Sequence, residues 1–227
     1  MIISHKHRFI FIKTAKTAGT SIEIALSKFA GHHDVITPCT PADEALRLEL
    51  GHVGPQNYKL PLRKDPFGGF VRMLVTRTRP AFYNHIDAAT IRQFVGATIW
   101  SSYFKFCFER NPWDKVVSAY YFDRADSAAK SLSDYVQSGA ASNIPGYNIY
   151  TIRGEIAVNK VYLYEDLPNA ISDLGSRLGL SEPIVLPRAK GHFRPDNTLY
   201  RSVLTNADRE KIARVYAREI ATFGYSW

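Results

Sequence analysis

Two cysteines and two methionines in 227 residues leave little room for sulfur chemistry. Cys39 and Cys107 are too few for a disulfide framework, and their spacing fits no zinc signature. Cys107 stands in "FKFCFE" and reads as a small buried hydrophobe. Long apolar runs are missing as well. Nothing approaches the roughly 20 residues that a membrane helix needs, and "MIISHKHRFIFIKT" holds no apolar stretch of signal-peptide length. A cytoplasmic chain without a membrane span is the expectation. There is no internal repeat and no low-complexity tract. With 45% hydrophobic and 22% charged residues, wholesale disorder is excluded. The length suits one α/β domain over residues 1–227 and leaves no second independent core.

Acidic residues are in deficit. The 21 Asp and Glu stand against 29 Lys and Arg, a net charge of +8 with an isoelectric point near 9.4. That balance favours anionic partners but does not separate nucleic acid, membrane surface, acidic polysaccharide and phosphorylated cofactor. A nucleic-acid-binding module would cluster its cations with interleaved aromatics on one face. Here the basic residues are scattered, and no nucleic acid is expected as a partner.

What is present is an alternation. Apolar, β-branched or aromatic runs at residues 9–12, 70–75, 103–108 and 161–164 read as strands covered on both faces. Helical patterns follow. Ile22, Leu26 and Phe29 form a stripe; Asp87 can cap "AATIRQFVG", which Gly96 ends; residues 112–122 and 169–178 come next. A final helix carries Ile212, Val215, Tyr216, Ile220 and Phe223 behind a cap at Thr205 or Asn206. The expected fold is α/β: a P-loop-like three-layer arrangement with a central parallel sheet flanked by helices. Residues 51–69 and 187–198, rich in Gly, Pro and basic side chains, read as walls of a binding cleft.

"FIFIKTAKTAGTSIEIALSKF" places a strand, a turn and a helix in succession. Gly19 supplies the positive φ or close backbone approach that the turn needs. Thr20 and Ser21 fall where the helix begins, so hydroxyls, first-turn amides and the positive end of the helix dipole converge on one anion. Lys16 adds a point charge. The Gly-x4-Gly-Lys-Ser/Thr pattern is absent, and "VYLYED" is the nearest approach to a strand ending in a magnesium-binding Asp. A conventional Mg-nucleotide hydrolase is therefore disfavoured.

"KFCFERNPWDKVVSAYY" specifies a second helix start, with Asn111 as cap, Pro112 in the first position and Asp114 in the first turn. Those three are explained structurally; Arg110 and Ser118 are left over. Ser118 lies six residues, roughly 9 Å, beyond Pro112. Arg110 leaves the strand end just before the helix, so guanidinium and hydroxyl can converge on one phosphate. The plainer account pairs Arg110 with Asp114 and leaves the serine to solvent.

"KTAKTAGTS" together with "RNPWDKVVSAY" resembles the two cofactor motifs of sulfotransferases, in particular the carbohydrate-type family 2 branch in bacteria. The resemblance implies transfer of a sulfuryl group from 3′-phosphoadenosine 5′-phosphosulfate to an acceptor hydroxyl, of a saccharide in that branch. The product would be adenosine 3′,5′-bisphosphate, and no metal takes part. Carried over by position, Lys16, Thr17, Gly19, Thr20 and Ser21 face the 5′ side, and Arg110 and Ser118 the 3′-phosphate. "VYLYEDL" and "YAREIATFGY" resemble a later strand and terminal helix of the family. Residues 31–69 and 123–158 carry no recognised motif. Ala18 stands where many members have glycine, and Glu109 where an apolar residue commonly precedes the arginine.

Lys16 would also serve catalysis, by steadying the leaving phosphate. Proton removal calls for a base. His85 in "FYNHIDAATIRQF" is the expected one, His52 in "LGHVGP" the alternative, and a carboxylate the remaining option. His5, His7, His32 and His33 read as surface residues, and Trp113 as packing. Lys190, His192 and Arg194 loosely resemble a basic segment that closes over the nucleotide. Two other readings stay open: a P-loop-like nucleotide-dependent kinase and a basic nucleic-acid-binding module.

Overall fold

The computed structural model describes residues 1–60, 79–123, 131–187 and 199–227. The sequence IIS-HKHR-FIF folds into two strands, β1 (Ile2–Ser4) and β2 (Phe9–Phe11), paired antiparallel with Ile3 opposite Ile10. Four residues cannot form a parallel crossover, so the hairpin is obligatory. Its turn is fastened by Asp34, whose Oδ1 accepts from the His5 amide at 2.7 Å and whose Oδ2 accepts from Ser4 Oγ at 2.8 Å. Then come α1 (Gly19–Ser27), β3 (Val35–Ile36), α2 (Pro41–Glu49), α3 (Ala88–Ser102), β4 (Phe104–Glu109) and α4 (Pro112–Asp123). The chain continues through α5 (Leu132–Gln137), α6 (Tyr147–Tyr150), a small hairpin of β5 (Thr151–Ile152) and β6 (Glu155–Ile156), and β7 (Lys160–Leu163). It closes with α7 (Leu167–Arg177), α8 (Tyr200–Val203), α9 (Asn206–Val215) and α10 (Ala217–Phe223).

The sheet order is β3-β1-β2-β4-β7. β2, β4 and β7 run parallel, while β1 is antiparallel to both its neighbours. The sheet is thus mostly rather than wholly parallel, and the fold is α/β with a central sheet between helical layers. Successive residues of each strand go to opposite faces. Phe9, Phe11, Phe106, Phe108 and Tyr162 build one core with Ile22, Leu26 and Leu174 from α1 and α7. Ile10, Ile12 and Cys107 build the other with Ile86, Ile91 and Trp100 around α3. On the first face the rings stack in a ladder, Phe11 on Phe106 at 5.3 Å and Phe108 on Tyr162 at 5.2 Å. Each fully buried Phe contributes about 1.5–3 kcal/mol.

A third core joins α4 to α5, α9 and α10 through Trp113, Val116, Tyr135, Ile212 and Tyr216. Trp113 is a packing residue there, its Nε1 donating to the Arg209 carbonyl at 3.0 Å.

Asp87 caps α3 as expected, accepting from the Thr90 amide at 2.9 Å. Gly96 does not stop the chain's helical course but breaks it, with φ +82°, and a second stretch runs to Ser102. Thr205 caps α9 with a reciprocal capping box; the anticipated single final helix is interrupted at Tyr216. Residues 51–60 do not hang free as a cleft wall. Gln56 exchanges both backbone hydrogen bonds with Ile36, extending the edge of the sheet. The expected strand at 70–75 and the basic segment holding Lys190, His192 and Arg194 lie outside the described residues.

Candidate functional site

β2 delivers the chain into the loop of residues 13–18, and three distant segments hold that loop in shape. Thr14 Oγ1 donates to the Phe108 carbonyl at the end of β4. The Ala15 amide donates to the Pro145 carbonyl at 2.9 Å. Arg110 Nη1 donates to the Lys16 carbonyl at 3.0 Å. Lys16 and Ala18 both adopt positive φ, 63° and 58°, a left-handed geometry that turns neighbouring amides toward one side. Gly19 is needed for space, not for φ. A Cβ there would stand 2.9 Å from Lys13 Cγ and 3.1 Å from the Thr14 carbonyl. Lys13 cannot swing away, because its Nζ donates to the buried Glu23 at 2.6 Å.

α1 then starts on Ala18 with no side-chain cap, whereas Thr40, Asp87 and Thr205 cap α2, α3 and α9. Thr20 and Ser21 sit in its first turn, 9% and 7% exposed. Thr17 is placed differently. It is fully buried, its hydroxyl sharing a 2.9 Å hydrogen bond with Thr14 Oγ1 and lying 3.3 Å from the Thr14 carbonyl. Its side chain shapes the loop from inside.

Asn111 caps α4, its Oδ1 accepting from the Trp113 amide at 3.1 Å. Arg110, just before it, is 8% exposed. Its Nε donates to Asp114 Oδ2 at 2.8 Å, and its guanidinium lies 4.1 Å from the centre of the Tyr164 ring. Asp114, Ser118 and Phe122 follow at intervals of four along one face of α4. Lys16 Nζ sits over the Phe122 ring at 4.0 Å. The half-buried Ser118 therefore lies on the helix face between the residue that carries Arg110 and the residue that carries Lys16. The two sequence motifs form one patch.

His85 meets the same loop at its first residue. Its ring Nδ1 lies 2.9 Å from the Lys13 carbonyl. A carbonyl accepts only, so Nδ1 carries the proton and Nε2 of the neutral ring keeps its lone pair. Burial lowers the proton affinity of the ring; the Lys13 carbonyl opposes this and the Lys13 ammonium adds to it. The net effect favours the neutral, proton-accepting form. His85 holds φ 60°, a strained conformation for a non-glycine residue. It lines a cleft of about 340 Å³ together with Asp87, Ser142, Asn143 and Asn148. Ile144, Pro145, Gly146 and Ile149 complete that wall.

Glu109 is fully buried. It pairs with Lys115 Nζ at 2.7 Å and accepts from Tyr150 Oη at 2.9 Å and from the Arg110 amide at 2.9 Å. Burial and the Glu109 carboxylate push the Tyr150 hydroxyl far above its usual range, so it remains a donor. A Cβ on Gly146 would collide with Lys115 Nζ. The ion pair thus braces the cleft wall from behind.

His52 stands elsewhere. Its Nδ1 meets the Ile24 carbonyl at 2.9 Å, five residues or about 7.5 Å of helix rise past Gly19. Arg194 lies outside the described residues. The sequence reading missed the segment 142–149, although "SNIPGYN" carries a Gly-Pro-Asn loop signal. It also missed Thr14 and Lys13, whose partners lie far along the chain. Among the described residues no three His, Cys, Asp or Glu side chains group so as to hold a metal ion, and no helix is long and apolar enough to cross a membrane.

No model of a known protein family matches the chain. Its fold is similar to the crystal structure of a sulfotransferase from Alicyclobacillus acidocaldarius, at 18% identity and a TM-score of 0.38, over 92% of this chain and 94% of that one. An uncharacterized protein of Archaeoglobus fulgidus is 36% identical over 104 residues, 44% of this chain and 87% of that protein. The chain belongs to the same family as this archaeal protein.

Proposed function

We propose that the chain is a sulfotransferase, a single catalytic domain that uses 3′-phosphoadenosine 5′-phosphosulfate to sulfate an acceptor hydroxyl. The observation that carries this reading is the hydrogen bond from Arg110 to the Lys16 carbonyl, which joins the two motifs into one cationic patch. The residues fit a nucleotide with two separated anionic ends. An uncapped helix start with Lys16, Thr20 and Ser21 suits one end, and Arg110 with Ser118 suits the other. Bound there, the nucleotide would supply the sulfuryl group: its sulfur–oxygen bond to the 5′-phosphate breaks, a bond to the acceptor oxygen forms, and adenosine 3′,5′-bisphosphate remains.

Lys16 and the first amides of α1 offset the charge on the leaving phosphate. Thr17 contributes its backbone and Gly19 its lack of a side chain. Asp114 and Tyr164 hold the Arg110 guanidinium in place. His85 Nε2 takes the proton of the acceptor hydroxyl, and we assign the base role to it over His52 because His85 shares a cleft with the loop-bracing segment. Arg194 would add a cation toward the 3′-phosphate. A saccharide is the acceptor class that the motif resemblance implies.

Calorimetric titration with adenosine 3′,5′-bisphosphate beside ATP with Mg²⁺ tests the reading. Micromolar binding of the bisphosphate and none of ATP is expected. The reverse would make the chain a phosphoryl-transfer enzyme, and binding of neither would overturn both.

A further inference from the structure

The net charge of +8 invites the idea of an acidic acceptor, but the cleft beside His85 has the opposite character. Among the described residues that line it there is no lysine and no arginine. Its one formal charge is the half-buried Asp87, whose Oδ1 accepts from the Thr90 amide at 2.9 Å and whose Oδ2 accepts from Thr90 Oγ1 at 2.7 Å. Asn143 and Asn148 present exposed side-chain amides, each able to donate and accept. Ile144 and Ile149 supply apolar surface. The volume, about 340 Å³, sits at the small end of ligand pockets.

Resting on the reading above, we propose that the acceptor is a small uncharged polyhydroxyl compound, and that Asp87 is the specificity residue that rejects acceptors bearing an anionic group. A carboxylate or sulfate in this open cleft would find no cation among its described lining residues, and it would face the Asp87 carboxylate. A hydroxyl has partners at the two amides. Rejection by a like charge is a common route to specificity, because discrimination needs an unfavourable contact with the wrong ligand as well as a favourable one with the right ligand.

Matched pairs isolate the charge: methyl glucoside against methyl glucuronide, and further neutral glycosides against their uronates. Turnover is measured with the phosphosulfate donor after bisphosphate binding has been established. The neutral member should be favoured at least tenfold in kcat/KM. Asp87→Asn keeps the helix cap, since asparagine caps as well as aspartate, and should narrow the ratio to within about threefold. Asn148→Lys, at an exposed position, should favour the uronate. Preference of the wild type for uronates, an unchanged ratio in Asp87→Asn, or turnover of no glycoside despite bisphosphate binding would each overturn the proposal. Failure to bind the bisphosphate would instead overturn the sulfotransferase reading, and this inference with it.

Discussion

Lys115→Met is the perturbation whose magnitude can be worked out most fully. Lys115 and Glu109 both have fully buried side chains and lie 2.7 Å apart. Removing the ammonium strands a carboxylate in the interior, where breaking a buried pair costs about 3–5 kcal/mol. Two donors stay on Glu109, the Tyr150 hydroxyl and the Arg110 amide, which places the expected loss near the lower bound, about 3 kcal/mol. That is a large share of a domain stability of about 5–15 kcal/mol. Glu109→Gln should cost a similar amount, because the Lys115 ammonium would then lie unpaired against Gly146 and the Tyr216 ring, 5.7 Å away. The double variant Glu109→Gln/Lys115→Met has no stranded charge and should regain at least about 2 kcal/mol over the sum of the singles. Urea unfolding at constant slope reads all three. A single-variant loss below about 1 kcal/mol, or strictly additive effects, would show that the pair is not a coupled buried unit.

Arg110→Ala should weaken adenosine 3′,5′-bisphosphate by about 10–150-fold, the loss of one hydrogen bond to a charged group, while the 3′-dephospho analogue loses less than tenfold; equal losses would refute the 3′-phosphate assignment. His85→Gln should lower kcat by about 10²–10⁴-fold with nucleotide affinity retained. In the wild type, kcat/KM should hold at neutral pH and fall as pH drops through the His85 pKa, because burial disfavours the charged ring. The acid limb should therefore lie below the ordinary histidine value of about 6.5, and a limb above pH 7 would contradict the assignment. Gly19→Ala should cost about 1–3 kcal/mol through overpacking and reduce bisphosphate affinity, read by urea unfolding and calorimetry; an unchanged affinity would mean that the loop tolerates the Cβ.

What could be read from the sequence was local. The strand expected at residues 103–108 and found at Phe104–Glu109, the Asn111-Pro112 helix start, the Asp87 cap and the Thr205 cap each depend on neighbours within a few positions. The antiparallel β1 was overlooked because three apolar residues before "HKHR" make a weak signal, although the short turn permits nothing but a hairpin. Glu109 read as a departure from an apolar pattern. Its partners Lys115 and Tyr150 are set by packing and not by spacing in a motif. The plainer account of Arg110, paired with Asp114, is the one the structure shows; its convergence with Ser118 on one phosphate is part of the proposed function. The side chain bonds Asp114 through Nε and the loop through Nη1.

The loop of residues 13–18 looks like a self-contained word in the sequence, yet its conformation is written elsewhere. Thr14 and Lys16 take their partners, Phe108 and Arg110, from 94 positions downstream, and Ala15 takes its partner from Pro145. Closing contacts across such separations carries an entropic cost that nothing within the loop can offset. During synthesis the strand–loop–helix unit must emerge long before it can acquire its shape. The proposed nucleotide site should therefore mature in one late step, once β4 and the segment around Pro145 have docked. A chain stopped short of residue 110 would carry the whole loop and bind nothing with it.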